Sequence, residues 1–241
     1  MPRVPSPFFR FKQFTVWHDR SALKVCTEAC ILGAYADVTS VKQALDIGTG
    51  TGLLALMAAQ RNTLMHIDAV EIEAQNYLQA IDNVAQSPFA ERIAVHHACI
   101  QDWSFMNTGE RYDLIISNPP FFSNHLHSPS QVRNRALHTD TLSLFELVVS
   151  VKRLLSTEGR FVVLLPPYET QLLTEIAAES GFWPTRQLQV FQRSDKPLFR
   201  MITTFERKHA EPIPETLYIH RLDGAYSDDF RALLREYYLI F

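Results

Sequence analysis

Apolar and polar positions along residues 43–207 alternate between two patterns, which predict short strands and longer helices in turn. Seven mainly apolar runs are predicted as strands: QALDI (43–47), MHIDAVEI (65–72), RIAVHHACI (92–100), YDLIIS (112–117), RFVVLLP (160–166), TRQLQVFQR (185–193) and FRMITTFER (199–207). Four segments between them have helical composition or spacing: GLLALMAAQR (52–61), EAQNYLQAIDNVAQ (73–86), TLSLFELVVSVKRLL (141–155) and ETQLLTEIAAESG (169–181). This alternation predicts a mostly parallel sheet that is covered by helices on both faces.

The last two predicted strands have no helix between them, so we expect them to pair antiparallel. The predicted fold class is therefore α/β, with a doubly wound, mostly parallel seven-stranded sheet and an antiparallel terminal strand pair. Residues 1–40 precede the first strand of this sheet. We expect them to form an N-terminal cap on a domain that spans residues 41–241.

Composition limits the kinds of protein that the chain can be. Its 241 residues, 46% of them hydrophobic, can bury one good core, and a net charge of −3 is not typical of a uniformly basic nucleic-acid-binding protein. No apolar run reaches the length of a membrane span, and the first residues do not form an apolar signal segment. The three cysteines (Cys26, Cys30 and Cys99) and the histidines show no metal-ligand spacing. We expect a soluble, cytoplasmic, monomeric protein with reduced thiols, and neither a metal nor a membrane partner.

The segment DIGTGTG (46–52) joins the first sheet strand to a helix and is the first candidate binding site. Glycines at such a turn let the backbone approach a ligand at the helix N-terminus. The pattern departs from the dinucleotide fingerprint G-x-G-x-x-G, because Leu53 stands at the last glycine position, and no P-loop sequence occurs. An acid precedes the glycines, and Glu71 ends the next strand, where a carboxylate can accept hydrogen bonds from ribose hydroxyls. Rather than a purely structural turn, this predicts an S-adenosylmethionine site formed by Asp46, Gly48, Thr49, Gly50, Gly52 and Glu71.

The segment SNPPFF (117–122) ends the fourth predicted strand and is the second candidate site. Pro119 and Pro120 cannot donate to a sheet, so they must end the strand, and their fixed φ angles hold the Pro119 carbonyl in place. That carbonyl and the side-chain oxygen of Asn118 can accept hydrogen bonds from both N–H groups of an adenine or amide amine, which makes its nitrogen more electron-rich. Phe121 can stack on a flat substrate. A proline-rich loop with two buried phenylalanines would explain the prolines but not the asparagine.

DIGTGTG, AVEIE (69–73) and SNPPFF together resemble the class I S-adenosylmethionine-dependent methyltransferases that methylate amines and carry N-P-P-[FY]. The N-terminal FRFKQFTVWHDRSALKVCTEACILGAYA (9–36) and the final YSDDFRALLREYYLIF (226–241) are similar to the bacterial tRNA1(Val) adenine-N6 methyltransferases. The resemblance implies a methyl transfer to the N6 of adenine 37, just 3′ of the anticodon. It also implies that the catalytic residues are Asn118, Pro119, Pro120 and Phe121.

One position departs from this resemblance. Adenine-N6 methyltransferases usually carry an aspartate just after the third strand, in contact with the adenine amine of the cofactor, and Cys99 stands there in this sequence. We expect Asp102 or a backbone group to make this contact instead.

Two stretches are candidates for contact with RNA. Residues 1–24 hold five basic residues against one acid, interleaved with aromatic residues, which is typical of a surface that follows a nucleic-acid backbone. For the aromatic residues themselves (Phe11, Phe14 and Trp17), packing onto the sheet is the preferred interpretation. The long segment 123–141 adds arginines beside the predicted pocket, and loops of this length are usually functional or mobile. The residues predicted to bind tRNA are Arg10, Lys12, Arg133 and Arg135.

The two motifs leave other functions open. N-P-P-F also occurs in guanine-N2 methyltransferases of ribosomal RNA, and a third function is an amide methyltransferase that acts on a glutamine of a release factor. A non-catalytic nucleotide-binding protein on the same fold would have no use for Asn118 and Phe121. The N-terminal segment, residues 9–36, favours a tRNA adenine-N6 methyltransferase over these alternatives.

Overall fold

The computed structural model describes residues 6–21, 24–109, 111–120 and 142–241. An eight-stranded sheet consists of β3 (Gln43–Ile47), β4 (His66–Glu71), β5 (Ile93–His97), β6 (Tyr112–Ser117), β7 (Leu155–Leu165), β8 (Trp183–Phe191), β9 (Leu198–Glu206) and β10 (Ile213–Tyr218). An antiparallel hairpin precedes it in the chain and consists of β1 (Phe8–Arg10) and β2 (Thr15–Trp17). The helices are α1 (Thr27–Tyr35), α2 (Leu53–Arg61), α3 (Ala74–Ala85), α4 (Ile100–Met106), α5 (Leu144–Leu154), α6 (Pro167–Glu179) and α7 (Asp228–Leu234).

Across the large sheet the strands follow the order β10-β8-β9-β7-β6-β3-β4-β5. Strand β9 runs antiparallel to both of its neighbours, and the other strands are parallel to one another, so their carboxyl ends meet at one edge. Apolar side chains of α1, α2 and α7 form a core on one face of the sheet, and those of α5 and α6 form a core on the other. The predicted doubly wound α/β fold is confirmed.

The sequence pattern predicted neither the N-terminal hairpin nor the helices α1 and α7. Three further elements differ in detail from the sequence-based prediction. Strand β10 pairs parallel with β8 and extends the predicted seven strands to eight. Residues 100–106 form α4, and Cys99 caps this helix because its sulfur accepts the backbone N–H of Asp102 at 3.4 Å. Strand β7 starts at Leu155 rather than at residue 160, directly after α5.

The N-terminal residues pack into the same core as the helices of the sheet. Phe11, Phe14 and Val16 are buried in one cluster with Ile31 of α1 and Leu56 of α2. The packing interpretation of Phe11 and Phe14 is therefore confirmed, whereas the division of the chain at residue 40 stays a prediction. Within the described ranges, the structure contains no helix with the length and apolar character needed to cross a membrane.

Candidate active site

Strands β3 and β6 are neighbours, so the two motifs that follow them meet at one edge of the sheet. Ile47 lies opposite Ser117, and the next residues are Gly48 and Asn118. Neighbouring strands are about 4.8 Å apart. Strand β4 flanks β3 on its other side and brings Glu71 to the same edge. The sheet thus brings the glycine loop, Glu71 and Asn118 together at its carboxyl edge, where open α/β sheets bind ligands.

The glycine loop, residues 46–52, leaves space for a ligand. Gly48, Gly50 and Gly52 have φ angles of 69°, 59° and 82°, which L residues with a side chain rarely adopt. A Cβ atom placed on Gly48 would meet no atom within 4 Å. The backbone N–H groups of Gly48 and Thr49 donate to the carbonyl of Val70 at 2.9 and 3.1 Å, which fixes the loop against β4.

The buried carboxylate of Glu71 holds the glycine loop directly. Its Oε2 accepts the backbone N–H of Gly50 at 2.7 Å, and its Oε1 accepts that of Glu73 at 2.8 Å. An ionised carboxylate has about four acceptor positions, so Glu71 can accept further hydrogen bonds from ligand hydroxyls. The same side chain therefore shapes the loop and offers acceptors to a ligand.

Asp46 lies beneath the loop and is only 2% exposed. Its Oδ2 accepts the hydroxyl of Thr49 at 2.5 Å, whereas its buried Oδ1 has no hydrogen-bond partner in the part of the chain that the structure describes. Burial raises the pKa of Asp46 to about 7; the Thr49 hydroxyl and the backbone N–H of Ala55 oppose this shift, and the negative charge of Glu71 adds to it. A cation beside this carboxyl would stabilise its ionised form.

Asn118 presents a second buried acceptor at the end of β6. Its Oδ1 has no hydrogen-bond donor among the described residues. A buried acceptor without a donor costs about 1–3 kcal/mol, so a ligand with N–H groups would be stabilised here. The preceding residue is fixed, because the Ser117 hydroxyl donates to the carbonyl of Ile47 at 3.0 Å. Phe121 lies outside the described residues.

Comparison with known proteins identifies the family. The model of the methyltransferase small domain family matches residues 29–164. A tRNA1(Val) (adenine(37)-N6)-methyltransferase of Dyadobacter fermentans is 48% identical to this chain over 245 residues, which cover 100% of both chains. The chain belongs to this methyltransferase family.

Further relatives and solved structures agree with this membership. Proteins of the same name from Bacteroides fragilis and Serratia proteamaculans are 42% and 40% identical, covering 98% and 97% of this chain and 99% and 90% of their own. A solved predicted O-methyltransferase from Agrobacterium tumefaciens has a TM-score of 0.65 at 16% identity, covering 86% of this chain and 95% of its own. A ribosomal protein L11 methylase from Lactobacillus delbrueckii subsp. bulgaricus has a TM-score of 0.52 at 17% identity, covering 75% and 77%. These two structures show the methyltransferase fold alone.

The position at which the chain departs from other adenine-N6 methyltransferases lies between β5 and α4. The sulfur of Cys99 caps α4, and Asp102 lies exposed in the first turn of this helix. The backbone N–H of Ala98 donates to the carbonyl of Glu71 at 3.1 Å, which ties this junction to the end of β4. Cys99 therefore directly follows a residue that is tied to the end of β4, and the assignment of Asp102 stays a prediction.

Two features of the site were missed from the sequence. The first is Ile72, which follows Glu71 and has a side chain that is 62% exposed. The ring of His97 contacts the carbonyl oxygen of Ile72 at 3.0 Å and stacks on Tyr77, with ring centroids 5.0 Å apart. An exposed aliphatic residue directly after the strand-ending acid offers an apolar surface to a flat ring. In the sequence, the position of Ile72 directly after Glu71 was the signal that could have identified it.

The second missed feature is a polar contact between α3 and the glycine loop, centred on the fully buried Asn83. Its Oδ1 accepts the backbone N–H of Trp17, and its Nδ2 donates to the carbonyls of Trp17 and Thr51, each at 2.8 Å. Gln79, one turn earlier, accepts the backbone N–H of Arg20 at 3.1 Å. In the sequence, the signal for this contact was the pair of amide residues Gln79 and Asn83, which stand four positions apart and so share one face of a helix.

Of the four residues predicted to bind tRNA, the structure describes Arg10 and Lys12. Arg133 and Arg135 lie outside the described residues. Arg10 is exposed on β1. Lys12 donates from Nζ to the backbone carbonyls of Arg235 and Phe241, so its ammonium group is engaged within the fold. The structure does not bring Lys12 to the edge that carries Asn118.

Proposed function

We propose that this chain transfers a methyl group from S-adenosylmethionine to the exocyclic N6 of adenine 37 in a tRNA. The observation that carries the proposal is the Oδ1 atom of Asn118, a buried acceptor without a donor in the described part of the chain, which lies beside the glycine loop. Relatives named tRNA1(Val) (adenine(37)-N6)-methyltransferases match the chain over their full length and support the choice of substrate. We place this reaction in the cytoplasm, with the chain acting as a monomer.

The residues beside Asn118 fit S-adenosylmethionine as the cofactor. When bound, this group supplies a methyl on a positively charged sulfur. Asp46 offers a buried carboxyl whose Oδ1 has no partner among the described residues, which suits a cationic ligand. The loop of Gly48, Thr49, Gly50 and Gly52 permits close approach, and Glu71 can accept hydrogen bonds from the ribose. We assign Asp102 and Ile72 to the adenine end of the cofactor.

The catalytic residues act by alignment and by hydrogen bonding. Asn118 Oδ1 and the carbonyl of Pro119 accept hydrogen bonds from the two N–H groups of the target amine. Because the lone pair of this amine is delocalised into the ring, these bonds make the nitrogen more electron-rich. They strengthen as the nitrogen gains positive charge in the transition state, so they accelerate the reaction. The nitrogen loses one proton to solvent after it gains the methyl, and no basic side chain is needed before transfer.

Residues outside the described ranges complete the proposal. Phe121 stacks on the target base once that base has left its neighbours in the RNA. For Arg133 and Arg135 we propose, from the sequence, contacts to the phosphate backbone of the tRNA.

The test is methyl transfer to unmodified tRNA1(Val) made by transcription. After incubation with the protein and S-adenosylmethionine, nucleoside mass spectrometry should detect N6-methyladenosine. A transcript in which adenine 37 is replaced by cytosine is the matched control and should gain no methyl group. N2-methylguanosine in the RNA, methylation of a release factor in place of tRNA, or no transfer at all would each contradict the proposal.

A further inference from the structure

We propose that the turn between β8 and β9, residues 192–197, binds the phosphate backbone of the tRNA substrate. This inference rests on the proposed function, because it assumes that the substrate is an RNA. It assigns RNA contact to a third segment of the chain, distinct from residues 1–24 and 123–141. The turn has the sequence QRSDKP and combines a position on the active-site edge with exposed positive charge.

The topology of the sheet puts this turn on the active-site edge. Strand β7 is parallel to β6, and β9 is antiparallel to β7, so β9 begins where β6 and β7 end. The register confirms this arrangement, because Leu165 at the end of β7 lies opposite Met201 near the start of β9. At about 4.8 Å per strand, β9 lies roughly 10 Å from β6. The turn that precedes β9 therefore lies on the same edge as Asn118 and projects beyond it: Asn118 is level with Ile202, four residues inside Leu198, which is about 13 Å along the strand. A tRNA that presents one base to Asn118 spans this distance.

The turn also lies on the side of Asn118 that is opposite the proposed cofactor site. In the sheet order β9-β7-β6-β3-β4, the glycine loop and Glu71 follow β3 and β4, on one side of Asn118. The β8–β9 turn lies on the other side. A substrate that presents one base to Asn118 must extend over this second side, since the first is assigned to the cofactor.

The charges of the turn suit a polyanion. Arg193 is already bound to Asp195, with its Nε and a terminal nitrogen 2.5 and 2.7 Å from the two carboxylate oxygens. Lys196 is exposed at the end of the turn and forms no salt bridge within the described ranges. Beyond the turn, Arg200 forms a salt bridge with Glu28 at 3.4 Å. Among the described residues of this edge, Arg193 and Arg200 are paired with acids. Lys196 acts on Asp195 only through its charge, so its exposed ammonium group is available to a phosphate.

Two aromatic side chains lie at the same edge of the sheet as this lysine. The guanidinium carbon of Arg200 is 4.0 Å from the centre of the Phe199 ring, and Phe199 is partly exposed. Tyr168, exposed at the start of α6, follows the end of β7 at the same edge. Basic and aromatic residues together are typical of surfaces that track a nucleic-acid backbone and stack on its bases. An RNA therefore fits this surface better than an acidic protein, which would not require the aromatic rings.

The test compares charge reversals at the two ends of strand β9. Lys196→Glu changes the turn, and Lys208→Glu changes another exposed lysine just after β9, at the opposite edge of the sheet. Binding of unmodified tRNA1(Val) transcript to the full chain would be measured at several salt concentrations. We expect Lys196→Glu to weaken binding and to flatten the slope of log K against log salt by about one unit, which corresponds to one lost phosphate contact.

Lys208→Glu should leave the slope unchanged, and both variants should bind S-adenosylmethionine as the wild-type chain does. A wild-type slope in Lys196→Glu, or equal losses in the two variants, would overturn the inference while the proposed function stands. Failure of the wild-type chain to bind or methylate the transcript would overturn both.

Discussion

At the scale of single residues, substitution of Asn118 tests the proposed mechanism most directly. If its Oδ1 accepts a hydrogen bond that strengthens in the transition state, Asn118→Ala should lower kcat on the order of 100- to 1,000-fold and change KM little. Single-turnover methylation of unmodified tRNA measures this loss. Cofactor affinity, measured separately by calorimetry, should stay at the wild-type value.

Asn118→Asp is the matched control, because it keeps an acceptor oxygen at the same position. It should retain more activity than Asn118→Ala. If Asn118→Ala methylates at the wild-type rate, Asn118 has no role in the transition state.

The raised pKa of Asp46, about 7, predicts a pH dependence of cofactor binding. Below pH 7 the buried carboxyl holds a proton in the ligand-free protein, and a cationic ligand must displace it. Affinity for S-adenosylmethionine should therefore fall as the pH decreases below 7, by at most about tenfold per pH unit, and level off above pH 7. Calorimetric titration between pH 5.5 and about 8.5 tests this. Asp46→Asn removes the titrating group, so the same slope in that variant would assign the proton to another group.

The sequence predicted where along the strands the candidate site residues lie, and it did not predict contacts between residues that are distant in the chain. Asp46 lies next to the last residue of β3, Glu71 ends β4 and Asn118 follows β6, so the strand pattern alone brings them to one edge of a parallel sheet. Lys12 was a candidate for RNA binding because of its charge. Its acceptors, the carbonyls of Arg235 and Phe241, are 223 and 229 residues away along the chain, and no local pattern indicates such contacts.

At the scale of elements, the central strands were predicted well because each is a continuous apolar run. Strand β10 was missed because its sequence, IPETLY, contains a proline and a glutamate and most of its side chains are exposed. Helix α4 was missed because its N-cap is Cys99, and not a serine, threonine, aspartate or asparagine. Both elements depend on neighbours that lie elsewhere in the chain, which a local pattern does not contain.

The contact between α3 and the glycine loop predicts a loss of both stability and cofactor affinity on mutation. Asn83→Ala leaves the backbone groups of Trp17 and the carbonyl of Thr51 without their partner. Unsatisfied buried groups cost about 1–3 kcal/mol each, so the free energy of unfolding should fall by roughly 2–4 kcal/mol. Urea unfolding measures this change.

Gln75→Ala, which removes an exposed amide on the same helix, is the control and should change stability little. A similar loss in both variants would mean that α3 is merely intolerant of alanine. A stable Asn83→Ala variant with normal cofactor affinity would show that the contact does not support the loop.

At the scale of the whole molecule, three proposed roles are arranged side by side along one edge of the sheet. The strands β3 and β4 carry the proposed cofactor residues, β6 carries the proposed catalytic motif, and β9 follows the turn proposed to bind RNA. A net charge of −3 gave no sign of an RNA substrate, because attraction to phosphate depends on the charge at one surface and not on the total.

The contacts between the first and last elements have a consequence for folding during synthesis. Phe11 bridges to Tyr238, and Lys12 binds carbonyls that are 223 and 229 residues later in the chain. At about 5–20 residues per second, a ribosome takes roughly 10–45 s to make that length. The hairpin of β1 and β2 must therefore wait for the end of translation before it completes its packing. In nascent chains stalled before residue 226, we expect a protease to cut within residues 8–17 and to spare this segment in the released protein; equal protection in both would show that the hairpin docks without its C-terminal partners.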